Sequence, residues 1–234
     1  MTGTVFGLGV GPGDPELITL KALRILRDAP VVAFPAPDQG DSLTRAIVAP
    51  HLTDGQTELA IRVPMVSERF PAQKVYDRAA VDLGGHLDAG RDVAVLCEGD
   101  PFLYGSFMYL FARLAERYPV EVVPGVSSLT ACAATLGAPL AARNDVLAVI
   151  PAPLDAGTLK QRLAVVDAAA ILKIGRHFTK VRDALSDLGL TDRARYVEHA
   201  TMDNQRILPL DEVDPATVPY FSMVLMHRRG EAWR

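Results

Sequence analysis

Short apolar runs alternate with longer stretches of helical periodicity along almost the whole chain, and this alternation limits the possible folds more than any other feature. The runs typical of strands cover residues 4–10, 30–34, 92–97, 120–123, 146–150, 169–174, 194–198 and 221–227. Helices are predicted after Pro15 and for residues 72–87, 105–117, 127–136, 156–166 and 180–188. Because strands that alternate with helices favour mainly parallel sheets, the sequence predicts an α/β fold.

A domain boundary is expected near residue 118, where the chain leaves a helical pattern through Tyr118-Pro119 and begins a new strand. With 234 residues and an apolar fraction of 49%, the chain is long enough for one large domain or two small ones. We predict two α/β domains, residues 1–118 and 119–234. Residues 34–37 and 62–71 are predicted surface loops, which are either plain connections or lids over a substrate.

The bulk composition excludes several classes of protein. The net charge of −4 argues against a broad basic surface that binds nucleic-acid phosphates, so no nucleic-acid partner is expected. No apolar run reaches the roughly 18 to 20 residues of a membrane-spanning helix, and the start of the chain lacks the pattern of a signal peptide. We therefore expect a soluble cytoplasmic protein without a membrane partner.

Neither the cysteines nor the histidines form a metal-binding pattern. Cys97 and Cys132 lack CxxC spacing and are interpreted as small buried hydrophobic residues. The five histidines are scattered and contain no HxxxH or HExxH pair. No metal site is predicted.

Three loops rich in turn-forming residues each follow a predicted strand. They cover residues 7–15, 98–107 and 123–128, and each contains glycine where backbone can approach a ligand closely. Because loops that follow parallel strands lie at the same edge of a sheet, the three loops suggest one shared cleft.

The first loop does not match the common nucleotide-binding motifs. Pro12 stands where GxGxxG needs its third glycine, and no GK[ST] follows, so neither a dinucleotide site nor a P-loop is predicted. Pro12 and Pro15 remove backbone donors that a phosphate requires, which favours a neutral or zwitterionic ligand. Ser127 and Ser128 do not lie in GxSxG, and they are interpreted as helix N-cap residues, as ligand contacts, or as both.

Five motifs occur in order over essentially the whole length of the chain: G-x-G-x-G-P-G-D-P-E-L-I-T-L-K-A, E-G-D-P-F-L-Y-G-S-F-M-Y-L, V-P-G-V-S-S, V-E-H-A-T-M and P-Y-F-S-M-V-L. Together they resemble the tetrapyrrole methylases, a family of S-adenosylmethionine-dependent enzymes that decorate the corrinoid ring. The resemblance implies the two-domain fold of the class III methyltransferases, a methyl donor bent into the interdomain cleft, and a homodimer. The chain has Glu98, and not a second glycine, before Gly99. In this respect its motif is most similar to that of the members that methylate ring carbon C-20.

The resemblance also implies which residues bind S-adenosylmethionine. Carried over motif by motif, the donor pocket would consist of Pro12, Gly99, Asp100, Leu103, Tyr104, Ser127, Ser128, Ile174, Ala200 and Met223. The family often has Met in place of Ile174 and Gly in place of Ala200, so main-chain contacts are expected at those two positions. Asp100 is expected to bind the donor rather than to take part in catalysis.

The implied substrate is a reduced tetrapyrrole with eight carboxylates. Of the 24 basic residues, 19 are arginine, whose guanidinium group matches a carboxylate. Candidates for substrate binding are Arg62, Arg69, Arg143 and Arg176, although an arginine at such a position is more commonly a solvated surface residue. Methylation also requires a proton acceptor, for which Tyr104, His199 and water are candidates.

Three alternatives remain open at this point. The ring could be metal-free or could contain cobalt, because the motifs hardly separate these substrates. The same fold could methylate RNA or a protein side chain, although the acidic charge balance disfavours this. A tetrapyrrole carrier without transferase activity is also possible, and the three donor loops disfavour it.

Overall fold

The computed structural model of the protein describes residues 1–63 and 69–230, with the backbone but not the side chains of residues 69–72. The chain divides into two compact units, and the boundary between them lies between Ser127 and Ser128. Each unit is an α/β unit built around one five-stranded sheet.

The first unit contains a parallel sheet with helices on both faces. Its strands are β1 (Val5–Gly9), β2 (Val31–Pro37), β3 (Thr57–Val63), β4 (Val93–Cys97) and β5 (Val120–Val123), in the order β3-β2-β4-β1-β5. Its helices are α1 (Leu20–Asp28), α2 (Leu43–Val48), α3 (Arg69–Asp88) and α4 (Phe107–Leu114), with short 3-10 turns at Pro15–Leu17 and Ala49–His51. Every strand pair in this sheet is parallel, as the alternation of strands and helices predicts.

The two faces of β4 illustrate how the first sheet is covered. Its five residues are all buried, and they alternate between two hydrophobic clusters because successive side chains of a strand point to opposite faces. Val93 and Val95 pack with α3 and α4, whereas Ala94 and Leu96 pack with α1 and α2. The strand is therefore fixed on both sides up to the loop that follows it.

The second unit has a mixed sheet. Its strands are β6 (Leu147–Pro151), β7 (Ala168–Leu172), β8 (Ala194–Glu198), β9 (Arg206–Leu208) and β10 (Ser222–His227), in the order β6-β7-β10-β8-β9. Helices α6 (Ala156–Ala164) and α7 (Phe178–Asp187) cover one face, and α5 (Ser128–Leu136) covers the other. Short 3-10 turns lie at Gly175–His177 and Thr191–Arg193.

The prediction of mainly parallel pairing is wrong for this second sheet. Only β6 and β7 are parallel, because β10 inserts between β7 and β8 and runs antiparallel to both. The hairpin of β8 and β9 adds another antiparallel pair at the edge. A strand that enters a sheet from the far end of the chain cannot be oriented from local periodicity.

The boundary between the units lies after residue 127 and not near residue 118. The reason is β5, which starts at Val120 and pairs in parallel with β1 over four residues, so it belongs to the first sheet. Tyr118 is buried against α3, where its hydroxyl donates to Asp88 Oδ1 at 3.0 Å.

The predicted Pro-rich loop at residues 34–37 is part of β2. β2 pairs with β4 only through residues 31–33, but it pairs with β3 through residue 37. Pro35 and Pro37 therefore lie where β2 has a neighbour on one side alone, which is the position that a sheet tolerates for proline. No helix within the described ranges 1–63 and 69–230 is long and apolar enough to cross a membrane.

Candidate functional site

The three glycine-containing loops meet at the carboxyl edge of the first sheet. Gly99 donates its N–H to the Gly11 carbonyl oxygen at 2.8 Å, which joins the loop after β4 to the loop after β1. A Cβ atom on Gly9 would lie 2.6 Å from the Gly99 oxygen, and one on Gly125 would lie 2.7 Å from the Gly9 Cα. The loops thus pack backbone against backbone, at separations that only glycine permits. We call this arrangement the glycine junction.

Asp100 ties two of these loops together. Its Oδ1 accepts a hydrogen bond from the Phe102 N–H at 2.9 Å, and its Oδ2 accepts one from the Gly125 N–H at 3.1 Å. Hydrogen bonds to a carboxylate are among the stronger ones in proteins. Both oxygens are engaged by the chain itself, so the first role of Asp100 in the geometry is to hold the second loop against the third.

The loop after Asp100 presents large side chains to solvent. Phe102, Leu103 and Tyr104 are 50%, 36% and 45% exposed. Tyr104 has a φ of +56°, a left-handed conformation that is uncommon for a residue with a side chain. The Phe102 ring also packs edge-on against Phe111 of α4, with ring centroids 5.2 Å apart. The loop is therefore anchored at one end while it offers apolar surface beside the glycine junction.

Strained backbone of this kind costs about 1–3 kcal/mol per residue and is found most often at functional sites. The second unit has four such residues, Arg143, Lys173, His199 and Thr201, with φ values of +53°, +59°, +50° and +69°. Lys173 directly follows β7 and His199 directly follows β8, Thr201 lies in the turn after β8, and Arg143 precedes β6. His199 is held by its N–H, which donates to the Phe221 carbonyl oxygen at 2.8 Å.

Ile174, Ala200 and Met223 lie at one end of the second sheet. Ile174 follows β7 and Ala200 follows β8, while Met223 is the second residue of the antiparallel β10 and is paired with Leu172 and Val197. The side chains of Ile174, Ala200 and Met223 are buried in the core of the unit, with exposures of 0%, 9% and 3%. A ligand at this end of the sheet would meet main-chain atoms, the kind of contact expected for Ile174 and Ala200.

A buried carboxylate supports the turn that contains His199 and Ala200. Glu198 accepts a hydrogen bond from the Tyr196 hydroxyl at 2.6 Å and pairs with Arg206 at 3.0 Å. Burial, together with the hydrogen bond to Glu198, raises the pKa of Tyr196 far above its ordinary value. The Tyr196 hydroxyl therefore keeps its proton and remains a donor to Glu198.

Pro12 and the two serines complete the predicted donor-binding set. Pro12 is partly exposed in the loop between β1 and the first 3-10 turn. Helix α5 begins at Ser128, which is exposed, so Ser127 occupies the N-cap position before it. Pro12, Gly99, Asp100 and Ser127 thus all belong to loops of the glycine junction.

The four candidate arginines are placed differently. Arg62 is exposed, and its Nη1 donates to the Pro37 oxygen at 2.8 Å at the end of β2. Arg176 is exposed in the 3-10 turn after β7, at the same end of the second sheet as Ile174. Arg143 lies in a turn before β6, which places it at the opposite end of that sheet. The Arg69 side chain lies outside the described residues.

Two further residues adjoin the glycine junction and were not among the predicted site residues. Glu98 is the residue between β4 and Gly99, and its Oε1 accepts a hydrogen bond from the hydroxyl of Thr44 in α2. The Thr44 side chain is completely buried. Helix α2 has only six residues, too few for its periodicity to be recognised in the sequence. The one available signal was Glu98 itself, an acidic residue between the apolar strand and the turn-forming Gly99-Asp100-Pro101.

The thiols provide no nucleophile at this site. Cys97 ends β4 and is 1% exposed. Burial, with a smaller contribution from the negative charge of Glu98, raises the pKa of the Cys97 thiol to about 11. Burial likewise raises the pKa of Cys132 to about 12. In the part of the chain that the structure describes, no three His, Cys, Asp or Glu side chains are grouped as metal ligands.

Comparison with protein families gives a match that spans most of the chain. The model for Tetrapyrrole (Corrin/Porphyrin) Methylases matches residues 4–214. A protein of Mycobacterium tuberculosis named Cobalamin biosynthesis protein CobIJ is 44% identical over 96% of this chain and 46% of its own length. The chain therefore spans about half the length of that relative.

Two further proteins are similar over nearly their full length. Precorrin-2 C(20)-methyltransferase of a Sinorhizobium species is 41% identical over 96% of this chain and 95% of its own. Among solved structures, Uroporphyrin-III C-methyl transferase from Thermus thermophilus, complexed with S-adenyl homocysteine, has a TM-score of 0.69. That structure is 29% identical, and the match covers 96% of this chain and 92% of the other.

Proposed function

The chain belongs to the tetrapyrrole (corrin/porphyrin) methylase family, and on this premise we propose that it is an S-adenosylmethionine-dependent C-methyltransferase. The proposed reaction adds one methyl group to C-20 of precorrin-2 and gives precorrin-3A in cobalamin biosynthesis. The observation that carries this proposal is the 41% identity to the Sinorhizobium C-20 methyltransferase over nearly the whole of both chains.

The glycine junction fits a methyl donor of this kind. S-adenosylmethionine, when bound, supplies a methyl group made reactive by its attachment to a positively charged sulfur. A ligand that combines an apolar base with polar ribose and amino-acid groups needs both backbone amides and apolar cover. The junction brings three backbone loops to one edge, and Leu103 and Tyr104 present apolar surface beside it. In the first unit we assign donor binding to Pro12, Gly99, Asp100, Leu103, Tyr104 and Ser127.

In the second unit we assign donor binding to Ser128, Ile174, Ala200 and Met223. The left-handed residues Lys173, His199 and Thr201 lie at the same end of the sheet and support the assignment, because strained backbone is found most often at functional sites. Glu198 maintains the shape of the turn at residues 199–205 through its pair with Arg206.

The substrate carboxylates require cations at the protein surface. Arg176 is exposed at the end of the second sheet that carries Ile174, and Arg62 is exposed near the carboxyl end of β3 in the first sheet. A guanidinium can bind a carboxylate through two parallel hydrogen bonds. We assign substrate binding to these two residues. Arg143 is not retained, because it precedes β6 and so lies at the other end of the second sheet.

No covalent enzyme intermediate is needed for this chemistry. Carbon C-20 of a reduced tetrapyrrole is electron-rich, since the pyrrole nitrogen lone pairs conjugate into it. The buried Cys97, whose raised pKa keeps it as a thiol, is not a competing nucleophile. The protein therefore contributes mainly by holding C-20 in line with the bond between the methyl carbon and sulfur. This effect is worth up to roughly 7–11 kcal/mol in well-oriented systems.

We further propose that the enzyme acts as a homodimer, as the family resemblance implies, and that it is a cytoplasmic protein. Light scattering on the purified protein would give a mass of twice 25.2 kDa if this is correct. A mass of 25.2 kDa at micromolar concentration would contradict the dimer.

The proposed activity is tested by anaerobic incubation of the protein with S-adenosylmethionine and either metal-free precorrin-2 or cobalt-factor II. Mass spectrometry of the ring reports how many methyl groups are added. We expect one added methyl group on precorrin-2. Methylation of the cobalt form alone would assign the enzyme to the cobalt-dependent route, and binding of the ring without methylation would indicate a carrier. Methylation of RNA or of a protein side chain, with neither ring methylated, would indicate a different substrate class.

A further inference from the structure

Glu98 occupies a position that the donor assignment does not explain. It is the last residue before Gly99, so its backbone enters the glycine junction directly. The alternation along β4 places Ala94 and Leu96 on the face covered by α1 and α2, and Glu98 continues this series. Its side chain is partly exposed at the carboxyl edge of the sheet. A charged group at this edge is accessible to a ligand.

Thr44 holds one end of the Glu98 carboxylate. Thr44 is completely buried, and its hydroxyl donates to Glu98 Oε1. Helix α2 is itself fixed by Ser42, whose hydroxyl accepts from the Arg45 N–H at 3.1 Å and donates to the Pro35 oxygen at 2.6 Å. The anchor of Glu98 is therefore connected through α2 to the end of β2.

The second carboxylate oxygen is available to a ligand. Among the residues that the structure describes, Glu98 Oε2 has no hydrogen-bond partner and no lysine, arginine or histidine pairs with Glu98. The titratable neighbours are Cys97, Tyr76 of α3 and Asp100. The negative charge of Glu98 adds to burial in raising the pKa of Cys97 and, to a small degree, that of Tyr76. None of these three groups supplies a positive charge.

The proposed reaction needs a group of this kind. When C-20 forms its bond to the methyl carbon, the carbon–sulfur bond breaks and its electron pair stays on sulfur. C-20 then carries both a hydrogen and the new methyl group, and the ring carries one positive charge. Removal of the C-20 proton returns the electron pair of the C–H bond to the conjugated system and restores the neutral ring. Because this cation is a strong carbon acid, a carboxylate is basic enough to deprotonate it.

We propose that the Glu98 carboxylate accepts the proton that C-20 loses, and that Thr44 is the positioning residue that holds this carboxylate in place. The inference rests on the proposed function. A carboxylate beside the ring would also stabilise the positive charge as it develops during methyl transfer. Oε1 is occupied by Thr44, so Oε2 receives the proton.

Glu98 is preferred over the two side chains, Tyr104 and His199, that the sequence offered beside water as proton acceptors. His199 belongs to the second unit, Tyr104 is 45% exposed in the loop after Asp100, and both have left-handed backbone. The Glu98 carboxylate has a defined anchor, an oxygen left for a ligand and a position next to Gly99. A general base requires this combination of fixed geometry and access.

The first test is hydrogen exchange at C-20 without methyl transfer. Wild-type protein, precorrin-2 and S-adenosylhomocysteine are mixed in D₂O, and loss of the C-20 hydrogen signal is followed by NMR. We expect the wild-type protein to exchange this hydrogen faster than free precorrin-2 does, and Glu98→Gln to exchange it no faster than the free ring. Glu98→Gln keeps the size and the Oε1 acceptor, so it preserves the bond from Thr44. Exchange by Glu98→Gln at the wild-type rate would overturn the proposal.

The second test is methyl transfer with precorrin-2 deuterated at C-20. Glu98→Gln is expected to lower the rate on the order of 10²–10⁴-fold, the usual range for a general base, and to increase the deuterium isotope effect. Thr44→Val is expected to lower the rate about tenfold, and Thr44→Ser, which keeps the hydroxyl, to restore it. Affinity for S-adenosylhomocysteine should remain unchanged in all three variants.

A matched control is Glu58→Gln, a surface carboxylate on β3 that pairs with Arg45 and should leave the rate unchanged. If Glu98→Gln does not fold, the Thr44 pair decides the question, because equal rates in Thr44→Val and Thr44→Ser contradict the positioning role. A wild-type protein that leaves precorrin-2 unmethylated overturns the proposed function and this inference together. An active wild type with an unaffected Glu98→Gln overturns this inference alone.

Discussion

The Asp100 carboxylate accepts a hydrogen bond from the Gly125 N–H at 3.1 Å, and this bond joins the loop after β4 to the loop after β5. The two residues are 25 positions apart in the chain, and each lies beside a glycine contact that leaves no space for a side chain. The arrangement of the proposed donor site therefore depends on one acidic side chain and on several glycines that have none. Both dependences lead to measurable predictions.

Asp100→Asn should weaken donor binding through this bond. An amide has one acceptor oxygen in place of two, so the variant keeps the bond from Phe102 or the bond from Gly125 but not both. A bond to a charged group contributes about 1.5–3 kcal/mol, so we expect affinity for S-adenosylhomocysteine to fall at least about tenfold by calorimetric titration. Asp54→Asn, at an exposed turn, is the control. Unchanged affinity in Asp100→Asn would show that the two hydrogen bonds accepted by Asp100 do not shape the site.

Gly125→Ala should disrupt the glycine junction. The added Cβ would overlap with the Gly99 oxygen and lie 2.7 Å from the Gly9 Cα, so one of the loops must move. We expect a loss of about 1–3 kcal/mol in the free energy of unfolding and no detectable binding of S-adenosylhomocysteine. Both are measured on the same preparation by urea denaturation and calorimetry.

Gly85→Ala is the matched control for that substitution. Gly85 lies in α3, and a Cβ there meets no atom within 4 Å. Since alanine favours helix over glycine by about 1 kcal/mol, the control should be as stable as wild type or slightly more stable. If Gly125→Ala behaves like Gly85→Ala, the close packing of the loops is not required.

The two cysteines should be unreactive in the folded protein. Cys97 and Cys132 are buried, and burial raises the pKa of their thiols to about 11 and about 12. Only the thiolate reacts with a disulfide reagent, so we expect no modification at pH 8 in native protein and two modified thiols after unfolding in guanidinium chloride. Rapid modification of one thiol in the native state would contradict the burial of that residue.

Asp145→Asn should change how stability depends on pH. The Ala142 N–H is the main cause that holds the pKa of Asp145 below its ordinary value, and His227 and Arg229 add to it. A carboxyl group whose pKa is lowered by folding stabilises the protein above its unfolded pKa, about 3.9, and this contribution is lost as the pH falls through the folded pKa. The difference in urea midpoint between wild type and Asp145→Asn should therefore be largest near pH 7 and shrink toward pH 3. A difference that does not vary with pH would contradict the assignment.

The features of the fold that follow from local pattern could be predicted from the sequence. Eight of the ten described strands coincide with predicted apolar runs, but β3 and the three-residue β9 were not predicted. The three loops of the glycine junction contain turn-forming residues directly after such runs. The same local pattern misled at Pro35 and Pro37, because their tolerance in β2 depends on which neighbours the strand has. It also gave no orientation for β10, since the strands on either side of it come from distant parts of the chain.

For the candidate site, too, the sequence predicted the loops but not the long-range side-chain contacts. The loops that carry Pro12, Gly99 and Ser127 were placed together correctly, because loops after parallel strands share an edge. Thr44 could not be found, since its contact with Glu98 spans 54 residues and depends on a helix of one and a half turns. Arg143 was proposed because it lies beside a predicted loop, although the predicted strand at residues 146–150 already placed that loop at the amino end of its strand.

The central claim, methylation of C-20, is tested most directly by locating the transferred carbon. Wild-type protein is incubated anaerobically with precorrin-2 and S-adenosylmethionine that carries ¹³C in its reactive methyl group, and the product is examined by NMR. We predict a single enriched methyl signal that is coupled to the C-20 ring carbon. Enrichment at any other ring position, or no enrichment of the ring, would contradict the account.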